Sequence, residues 1–349
     1  MKSIRSALGL VPGILLLVVI GYSGKLLEKA FSAYGKSHGL ALPNIEYVLW
    51  AILIGLLIAN TMGVHRIFKP GVATYEFFLK IGIIFLGSRF LIVDVLKLGG
   101  ISLVLVAVEL GMSIVIMTWI GKKLGLSQKL TSLLAVGSSI CGVSAIIAAK
   151  GAIDASEEDS SIAITAILTV GALSLFVFPL VGHWLFLDDR TFGMWVGLAV
   201  DNTAEAVAAG ALYSESAGKV AALAKTARNA TIGFVVLGYA LYYAKQGLAQ
   251  KVGNKAVFLW EKFPKFVLGF LVVSLLASAQ VFDKGQLTSL GNLSRWAFLL
   301  TFAGVGLNTD FRAMWKQGAW PFVAGIVGEL LIAVVTLGLV VLASNTIGL

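Results

Sequence analysis

The sequence predicts an all-α polytopic membrane protein, and composition and pattern both support this. Hydrophobic residues make up 58% of the 349 residues, and charged residues only 13%, whereas a soluble domain carries roughly 25% charged residues. The apolar residues form long blocks, among them 130–149, 160–182 and 318–349, which contain almost no acid or base. Each block can cross a hydrocarbon layer about 30 Å thick, and none alternates like the strands of a membrane β-barrel.

About eleven such blocks follow one another, and each predicts a transmembrane helix. Their centres lie near residues 14, 53, 83, 110, 139, 171, 202, 230, 273, 302 and 332. The first block follows Lys2 and Arg5, as a signal peptide would, but VVIGYSGKLLEK offers no persuasive small-residue cleavage site. We therefore interpret it as a retained first helix.

Lysine and arginine predict the orientation of the helices. With eleven spans, the side that holds Lys2, Lys122 and Lys245 carries more of these residues than the side that holds Lys25 and Lys219. Because the richer side of a membrane protein is normally cytoplasmic, we expect the N-terminus inside and the C-terminus outside. The net charge of +9 is then mostly a topology signal, so nucleic acid is not an expected partner.

Motifs for metals, cofactors and nucleotides are missing from the sequence. Cys141 is the single cysteine, and the three histidines lie apart from one another, so no zinc-type spacing exists. There is no P-loop, and no arrangement typical of an intramembrane enzyme. We expect no metal, no cofactor and no enzymatic activity.

Four ionisable residues interrupt the seventh and eighth apolar blocks. Asp201 and Glu205 are four residues apart in LAVDNTAEAVAAG, and Lys225 and Arg228 lie close together in LAKTARNAT, so each pair shares one helix face. An ionisable residue at the bilayer centre costs about 2.5 to 3.5 kcal/mol on insertion scales. We interpret the two acids and two bases as one network around a polar site; a purely structural clamp is the alternative.

Three more ionisable residues lie alone within apolar blocks. Lys80 can extend its amine to the membrane surface, whereas Glu109 and Glu329 are candidate protonatable sites.

The fifth block contains GSSICGVSA, in which Gly137 and Gly142 bracket Ser138, Ser139 and Cys141. Such small residues favour an interrupted helix or very close helix packing. An interrupted helix would direct free N–H groups and a positive helix end into the protein, where they attract anions. The acid tract AIDASEED that follows would cap the sixth helix.

These residues resemble the YeiH family of bacterial inner-membrane proteins, which is associated with sulfate export. The resemblance rests on GSSICGVSAIIAAKGAIDASEED, with support from KPGVATYEFFLKIGIIFLGSRF, KTARN and FAGVGLNTDFRAMWKQGAWP. One departure is clear: where the family usually shows His-Asp-Thr, this chain reads Asp201, Asn202 and Thr203. The family's usual Gln two places later becomes Glu205, which leaves the substrate and coupling ion open.

The resemblance implies two inverted five-helix repeats, residues 41–186 and 187–349, after an extra N-terminal helix and loop, residues 1–40. The fourth helix of each repeat would be broken, one at GSSICG and the other at FAGVGLNTD. It also implies a homodimer. One pattern does not fit this register: residues 85–100 align without gaps to residues 304–319, matching Gly87 with Gly306 and Lys97 with Lys316.

Together these features predict a secondary transporter of a small anion, sulfate or another sulfur-containing anion, that works by alternating access and is coupled to protons or sodium. A cation/proton antiporter and a non-transporting membrane scaffold or sensor are the alternatives. The predicted substrate-binding residues are Gly137, Ser138, Ser139, Cys141, Gly142, Ser144, Asn202, Thr203, Lys225, Arg228 and Asn308. The predicted ion-coupling residues are Asp201, Glu205, Glu109 and Glu329.

Overall fold

The computed structural model describes residues 9–37, 47–90, 92–249, 253–309 and 319–347. Within these residues all regular structure is helical. The α-helices are α1 (Val11–Ser37), α2 (Tyr47–Thr61), α3 (Lys69–Val72), α4 (Tyr75–Leu86), α5 (Ile92–Lys123), α6 (Gln128–Ser139), α7 (Val143–Ile153), α8 (Glu157–Trp184), α9 (Asp189–Ala199), α10 (Thr203–Tyr213), α11 (Glu215–Asn229), α12 (Ile232–Lys245), α13 (Lys255–Lys262), α14 (Phe266–Ser278), α15 (Lys284–Asn308) and α16 (Ala319–Ile347).

Six helical segments in the described part of the chain are long and apolar enough to cross a membrane. They are Val11–Phe31, Lys69–Arg89, Leu103–Lys123, Glu157–Trp184, Glu215–Lys245 and Trp320–Ser344. Helices α2, α7 and α14 are apolar but shorter. Side chains on these helices that are exposed and apolar, such as Leu57, Val115 and Val334, suit a lipid solvent. The chain is therefore a polytopic membrane protein.

The chain divides into two compact units. Unit 1 comprises Met1–Ile92 and Leu268–Arg312, and unit 2 comprises Val93–Val267 and Ala313–Leu349. In unit 1, α15 packs against α2 and α4, and α1 packs against α2. A Cβ atom on Gly55 of α2 would lie 2.8 Å from the Leu307 nitrogen of α15, so glycine allows these two backbones to touch.

In unit 2, α6 and α7 form an antiparallel hairpin, residues 128–153, which we call hairpin 1. The Lys129 amine at its start donates to the Asp154 carbonyl at its end, and Gly137 lies against Ile146 farther along. Gly142 reverses the chain with φ +69° and ψ −119°, a backbone conformation that is open almost only to glycine. Both ends of hairpin 1 therefore lie at the same end of unit 2.

Helices α9 and α10 form a second antiparallel hairpin, residues 189–213, which we call hairpin 2. The Tyr213 hydroxyl at its end donates to the Leu187 carbonyl just before its start, and the Tyr213 ring stacks on Phe192 at 3.9 Å. The chain turns at Val200, Asp201 and Asn202, between the two helices. Hairpin 2 also begins and ends at one end of unit 2.

The two hairpins enter unit 2 from opposite ends of α8. Asp159 at the start of α8 accepts a hydrogen bond from Ser127, just before hairpin 1. Gly182, near the other end of α8, packs against Phe192 and Tyr213 of hairpin 2. The 28-residue α8 is roughly 42 Å long, so the hairpin bases are separated by more than a bilayer core.

Three expectations from the sequence are corrected by this architecture. The fifth and seventh blocks were expected to cross the membrane, but each folds back on itself, because helices of about twelve residues reach only about 18 Å before the chain reverses. The second broken helix was expected at the glycines of FAGVGLNTD, but α15 continues unbroken through Gly304 and Gly306 to Asn308, and residues 310–318 lie outside the described residues. The second interruption lies instead at residues 200–202.

Candidate functional site

The tips of the two hairpins meet inside unit 2. A Cβ atom on Gly142 would lie 3.6 Å from the Asn202 Cα atom and 3.2 Å from an Ile167 methyl carbon of α8. Ser138, Ser139 and Asp201 are almost wholly buried at the same place. The two interrupted backbones therefore touch deep within the protein, where no bulk water satisfies their polar groups.

Arg228 of α11 binds the carbonyl ends of both incoming helices. Its Nε atom donates to the Ser139 carbonyl at 2.8 Å, and a terminal nitrogen donates to the Ser138 carbonyl. The other terminal nitrogen reaches the carbonyls of Ala199, at 3.4 Å, and Val200, at 3.2 Å. These carbonyls are the free, partially negative ends of α6 and α9, so one guanidinium joins the two tips.

Lys225, one turn earlier on α11, reinforces this arrangement. Its amine donates to the Val200 carbonyl at 2.5 Å. Both bases are completely buried. The positive charges that the sequence predicted for substrate therefore contact backbone carbonyls of the hairpin tips.

Arg228 also forms an ion pair with Glu109 of α5. The Arg228 Nε atom lies 3.3 Å from a Glu109 carboxylate oxygen. The other carboxylate oxygen accepts a hydrogen bond from Ser113, one turn along α5. The sequence had suggested that the partners of Arg228 would be Asp201 and Glu205, so the observed acid comes from a different helix.

Asp201 and Glu329 meet at the tip of hairpin 2. Their carboxyl groups lie next to each other, and the Ser174 hydroxyl of α8 lies 3.5 Å from a Glu329 carboxyl oxygen. Because an ionised carboxylate has no donor, a hydrogen bond between two carboxyl groups requires a proton on one of them. Asp201 and Glu329 are therefore a candidate proton-sharing pair.

Glu205 lies one turn into α10 and packs tightly on α8. A Cβ atom on Gly171 would lie only 1.7 Å from a Glu205 carboxylate oxygen, so the glycine leaves room for this carboxylate against α8. One oxygen each of Glu205, Asp201 and Glu329 has no hydrogen-bond partner within the described residues. These oxygens are available to a proton, an ion or a polar ligand.

The acids of this cluster outnumber the bases. Among the described residues, the buried Asp, Glu, Lys and Arg residues are Glu109, Asp201, Glu205, Lys225, Arg228 and Glu329, and all six lie in unit 2. If Glu109 neutralises Arg228 and one further acid neutralises Lys225, two carboxyl groups remain. Since an unpaired buried charge is costly, these two groups require protons or a bound cation.

The positive ends of two helices also begin at the tips. Asn202 caps α10 by accepting a hydrogen bond from the Ala204 N–H at 2.9 Å, and no side chain caps the start of α7 at Gly142. The Asn229 amide donates to the Thr203 hydroxyl at 3.0 Å, while its own carbonyl oxygen has no partner within the described residues. Free N–H groups and this amide are suitable contacts for a polar ligand.

Most of the predicted residues come together at the tips in unit 2, and two do not. The clustered residues are Gly137, Ser138, Ser139, Cys141, Gly142, Asn202, Thr203, Lys225, Arg228, Asp201, Glu205, Glu109 and Glu329. Ser144 has an exposed side chain on α7, and Asn308 is exposed at the end of α15 in unit 1. Lys80 lies at the surface, 4.0 Å from Glu76.

Several site residues were not predicted from the sequence. Gly171 and Ser174 on α8 and Ser113 on α5 lie in apolar blocks where a single small residue carries no distinctive signal. Their roles depend on contacts with Glu205, Glu329 and Glu109, respectively. Only Ser113, four residues after Glu109, could have been inferred from helical spacing.

The chain is similar to members of a family of membrane proteins. The family model described as "Conserved hypothetical protein 698" matches residues 12–325. A UPF0324 membrane protein of Nitratidesulfovibrio vulgaris is 36% identical over 94% of this chain and 93% of its own length. UPF0324 membrane proteins of Streptococcus agalactiae serotype V and Clostridium tetani are each 29% identical; the matches cover 94% and 82% of this chain and 96% and 87% of those proteins.

No solved structure shows significant similarity to the chain. The family match nevertheless covers most of its length and includes both hairpins and five of the six buried ionisable residues, all except Glu329. The chain belongs to the UPF0324 family of membrane proteins, which is also named YeiH.

Proposed function

We propose that this protein is a secondary transporter that moves a small anion across the bacterial inner membrane. The observation that carries the proposal is the meeting of two hairpin tips, at Gly142 and Asn202, beside six buried ionisable residues. Irregular backbone at membrane depth is tolerated where it is buried in protein or lines a cavity. Discontinuous helices that end near the bilayer midplane are typical of transporter binding sites.

The chemistry of the tips supports an anion as substrate. Arg228 and Lys225 bind the negative ends of α6 and α9, which leaves the start of α7 at Gly142, where no side chain caps the helix, as the positive helix end that is free to attract an anion. The Asn202 side-chain NH2 and the Thr203 hydroxyl add donors beside this helix end, since the Asn202 carbonyl oxygen is the atom that caps α10 and the Thr203 oxygen accepts from Asn229. A sulfur oxyanion or sulfonate, with several acceptor oxygens, matches this set of donors.

The surplus of buried acids supports coupling to protons or sodium. In this mechanism Asp201 and Glu329 share a proton, and Glu205 has an oxygen without a partner within the described residues. Release of that proton would leave extra negative charge next to the tips and weaken anion binding. This linkage makes proton and anion travel in the same direction.

The two hairpins also support an inverted repeat, in a register that differs from the one implied by the resemblance. In this register, one repeat consists of α2, α4, α5, hairpin 1 and α8. The other repeat consists, in matching order, of α14, α15, α16, hairpin 2 and the α11–α12 segment. The second set is circularly permuted in chain order. This register accommodates the gapless match of residues 85–100 to residues 304–319, because the α4–α5 connection then corresponds to the α15–α16 connection.

The predicted orientation of the N- and C-termini is the same whether the fifth and seventh blocks are transmembrane spans or hairpins. If both hairpins re-enter, nine crossing segments remain in the described residues: α1, α2, α3–α4, α5, α8, α11–α12, α14, α15 and α16. Nine is odd, so we retain the cytoplasmic N-terminus and external C-terminus. Lys150 moves to the cytoplasmic side and Arg190 to the outside, so the lysine and arginine bias is unchanged.

Transport in proteoliposomes tests the proposal. Purified protein is reconstituted, and uptake of sulfate, sulfite, thiosulfate and a short sulfonate is measured under an imposed proton gradient or sodium gradient. We expect one of these gradients to drive at least one anion, and Asp201→Asn to abolish the gradient dependence. Glu76→Gln, at the surface of unit 1, is the matched control. Absence of flux for the whole panel under both gradients would contradict the proposal.

Cation/proton exchange is the second candidate, favoured by the same surplus of acids. In that case Asp201, Glu205 and Glu329 would bind sodium or lithium and release protons, and anions would have no effect. Proton release on addition of sodium, without any anion-dependent change in melting temperature, would select this candidate. A membrane scaffold or sensor would give neither response. A homodimer remains an expectation for either transporter.

A further inference from the structure

Unit 2 also contains a cavity, beside the base of hairpin 1. It has a volume of about 700 Å³ and lies between α5, the start of α6, and α12. It is separate from the hairpin tips, and the proposed transport mechanism does not use it. Its lining residues are Ile114, Thr118, Lys122, Leu126, Gln128, Thr131, Ser132, Val235, Gly238, Tyr239 and Tyr242.

The cavity has an apolar end and a charged end. Ile114 and Val235 lie toward the middle of α5 and α12, and Lys122, Gln128 and Tyr242 lie at the end of unit 2 where α5 ends and α6 begins. Lys122 follows Ile114 by eight residues, a separation of roughly 12 Å along α5. The polarity of the lining therefore changes along the helix axes, as it does across half of a lipid bilayer.

Hydroxyl groups occupy the zone between these ends. Thr118 and Tyr239 line this zone, and Ser132 is hydrogen-bonded to Tyr243 behind the cavity wall at 3.0 Å. Thr131, which is only 3% exposed, has a buried hydroxyl oxygen with no partner within the described residues. A Cβ atom added to Gly121 of α5 would lie 2.6 Å from this oxygen, so the Thr131 hydroxyl packs against α5 rather than facing the cavity.

Basic residues surround the charged end. Lys122 lines the cavity, while Lys123, Lys129 and Lys245 lie at the same end of unit 2. The cavity is also open to the outside: a Cβ atom added to Gly238 would meet no other atom within 4 Å, and Tyr242 is half exposed. Basic pockets between transmembrane helices attract acidic lipid headgroups.

We propose that this cavity binds an anionic phospholipid. The phosphate contacts Lys122 and Gln128, the ester groups lie beside the hydroxyl groups of Thr118 and Tyr239, and an acyl chain extends along Ile114 and Val235. Each part of the lipid meets a surface of matching chemistry. The bound lipid would then stabilise hairpin 1, because α6 supplies Gln128, Thr131 and Ser132 to the cavity wall.

Native mass spectrometry of the full chain in detergent tests this proposal. The probes are phosphatidylglycerol and phosphatidylcholine with identical acyl chains, each added at the same ratio. We expect one tightly retained phosphatidylglycerol per chain, an increase in melting temperature with phosphatidylglycerol alone, and weak retention of phosphatidylcholine. Equal retention of the two lipids would overturn the proposal.

Two pairs of variants locate the site. Gly238→Leu fills the cavity and should abolish specific retention, whereas Gly111→Leu, at an equally open position on α5, should not. Lys122→Gln should lower phosphatidylglycerol affinity about fivefold, the value for one surface charge. Lys123→Gln, whose amine lies over the Trp119 ring instead, should have little effect. Unchanged retention in both Gly238→Leu and Lys122→Gln would overturn the proposal.

Discussion

Arg228 shows how a single side chain determines the arrangement of the site. Its guanidinium is fully buried and contacts four backbone carbonyls and one carboxylate. Only arginine offers five donors in a fixed planar fork, so it can bind two helix ends and an acid at the same time. The cost of burying its charge is offset by the Glu109 carboxylate and by two helix dipoles.

Removing that guanidinium should destabilise the protein, and removing Glu109 as well should partly restore stability. Arg228→Gln leaves a buried carboxylate without its partner, at a cost on the order of 3–5 kcal/mol. In Arg228→Gln with Glu109→Gln, the unpaired charge is gone, and the melting temperature in detergent should recover part of the loss.

Arg228→Gln combined with Glu205→Gln is the control for this prediction. Glu205 makes no ion pair with Arg228 within the described residues, so this second double mutant should stay as unstable as the single one. Recovery with Glu205→Gln rather than Glu109→Gln would contradict the observed pairing.

Gly171 gives a second test at the scale of one residue. Alanine at this position would place a methyl group 1.7 Å from a Glu205 oxygen, and buried overpacking typically costs about 1–3 kcal/mol. Gly171→Ala should therefore lower the melting temperature, and the shorter side chain in Gly171→Ala with Glu205→Asp should restore it. Gly111→Ala, at an open site on α5, should leave it unchanged; an equal loss there would contradict the explanation.

At the scale of elements, each hairpin consists of two short helices that depend on their neighbours. Helices of 11 or 12 residues are marginal by themselves, so packing must hold them. Hairpin 2 packs on α11 through glycine contacts, with Gly193 against Ala217 and Gly197 against Ala221. Small residues allow this close backbone approach, which is typical of membrane helices.

The reversal at the tip of hairpin 1 should depend on Gly142. A non-glycine residue at φ +69° costs about 1–3 kcal/mol, and its Cβ atom would also lie 3.2 Å from Ile167. Gly142→Ala should therefore lower the melting temperature and impair flux. Gly151→Ala, in an exposed and open helical position of α7, should be neutral or stabilising by up to about 1 kcal/mol. Similar losses in both variants would contradict a specific requirement at the tip.

At the scale of the whole molecule, the hairpins change the topology of the chain. If the chain crossed the membrane eleven times, Lys123 and Glu158 would lie on opposite sides of the membrane. Asp189 and Ser216 would also lie on opposite sides from each other. Hairpins place the members of each pair on the same side, while α8 keeps the two pairs on opposite sides. The connections that carry Glu158 and Asp189 lie at opposite ends of α8.

Labelling of introduced cysteines distinguishes these topologies. In a Cys141→Ser background, which contains no other cysteine, each of Lys123, Glu158, Asp189 and Ser216 is replaced by cysteine in turn. All four are exposed. With a membrane-impermeant maleimide applied from outside, Asp189→Cys and Ser216→Cys should react, and Lys123→Cys and Glu158→Cys should react only after the membrane is opened. Different sidedness within either pair would contradict the hairpin.

The sequence by itself determined the membrane class, the order of the apolar segments and all six of the buried ionisable residues in the described part of the chain, and it marked GSSICG as either an interrupted helix or a close packing face. These properties follow from composition and local spacing. A charged residue in an apolar block is easily recognised in the sequence, and few residues can replace glycine where a helix is interrupted. The tertiary structure decided that the fifth and seventh blocks fold back, that α15 continues to Asn308, and that Arg228 pairs with Glu109 across more than a hundred residues. Hydropathy gives the length of an apolar block, but it does not show whether the chain reverses within that block. Helical spacing shows which helix face carries a side chain, but it does not show which distant helix packs against that face.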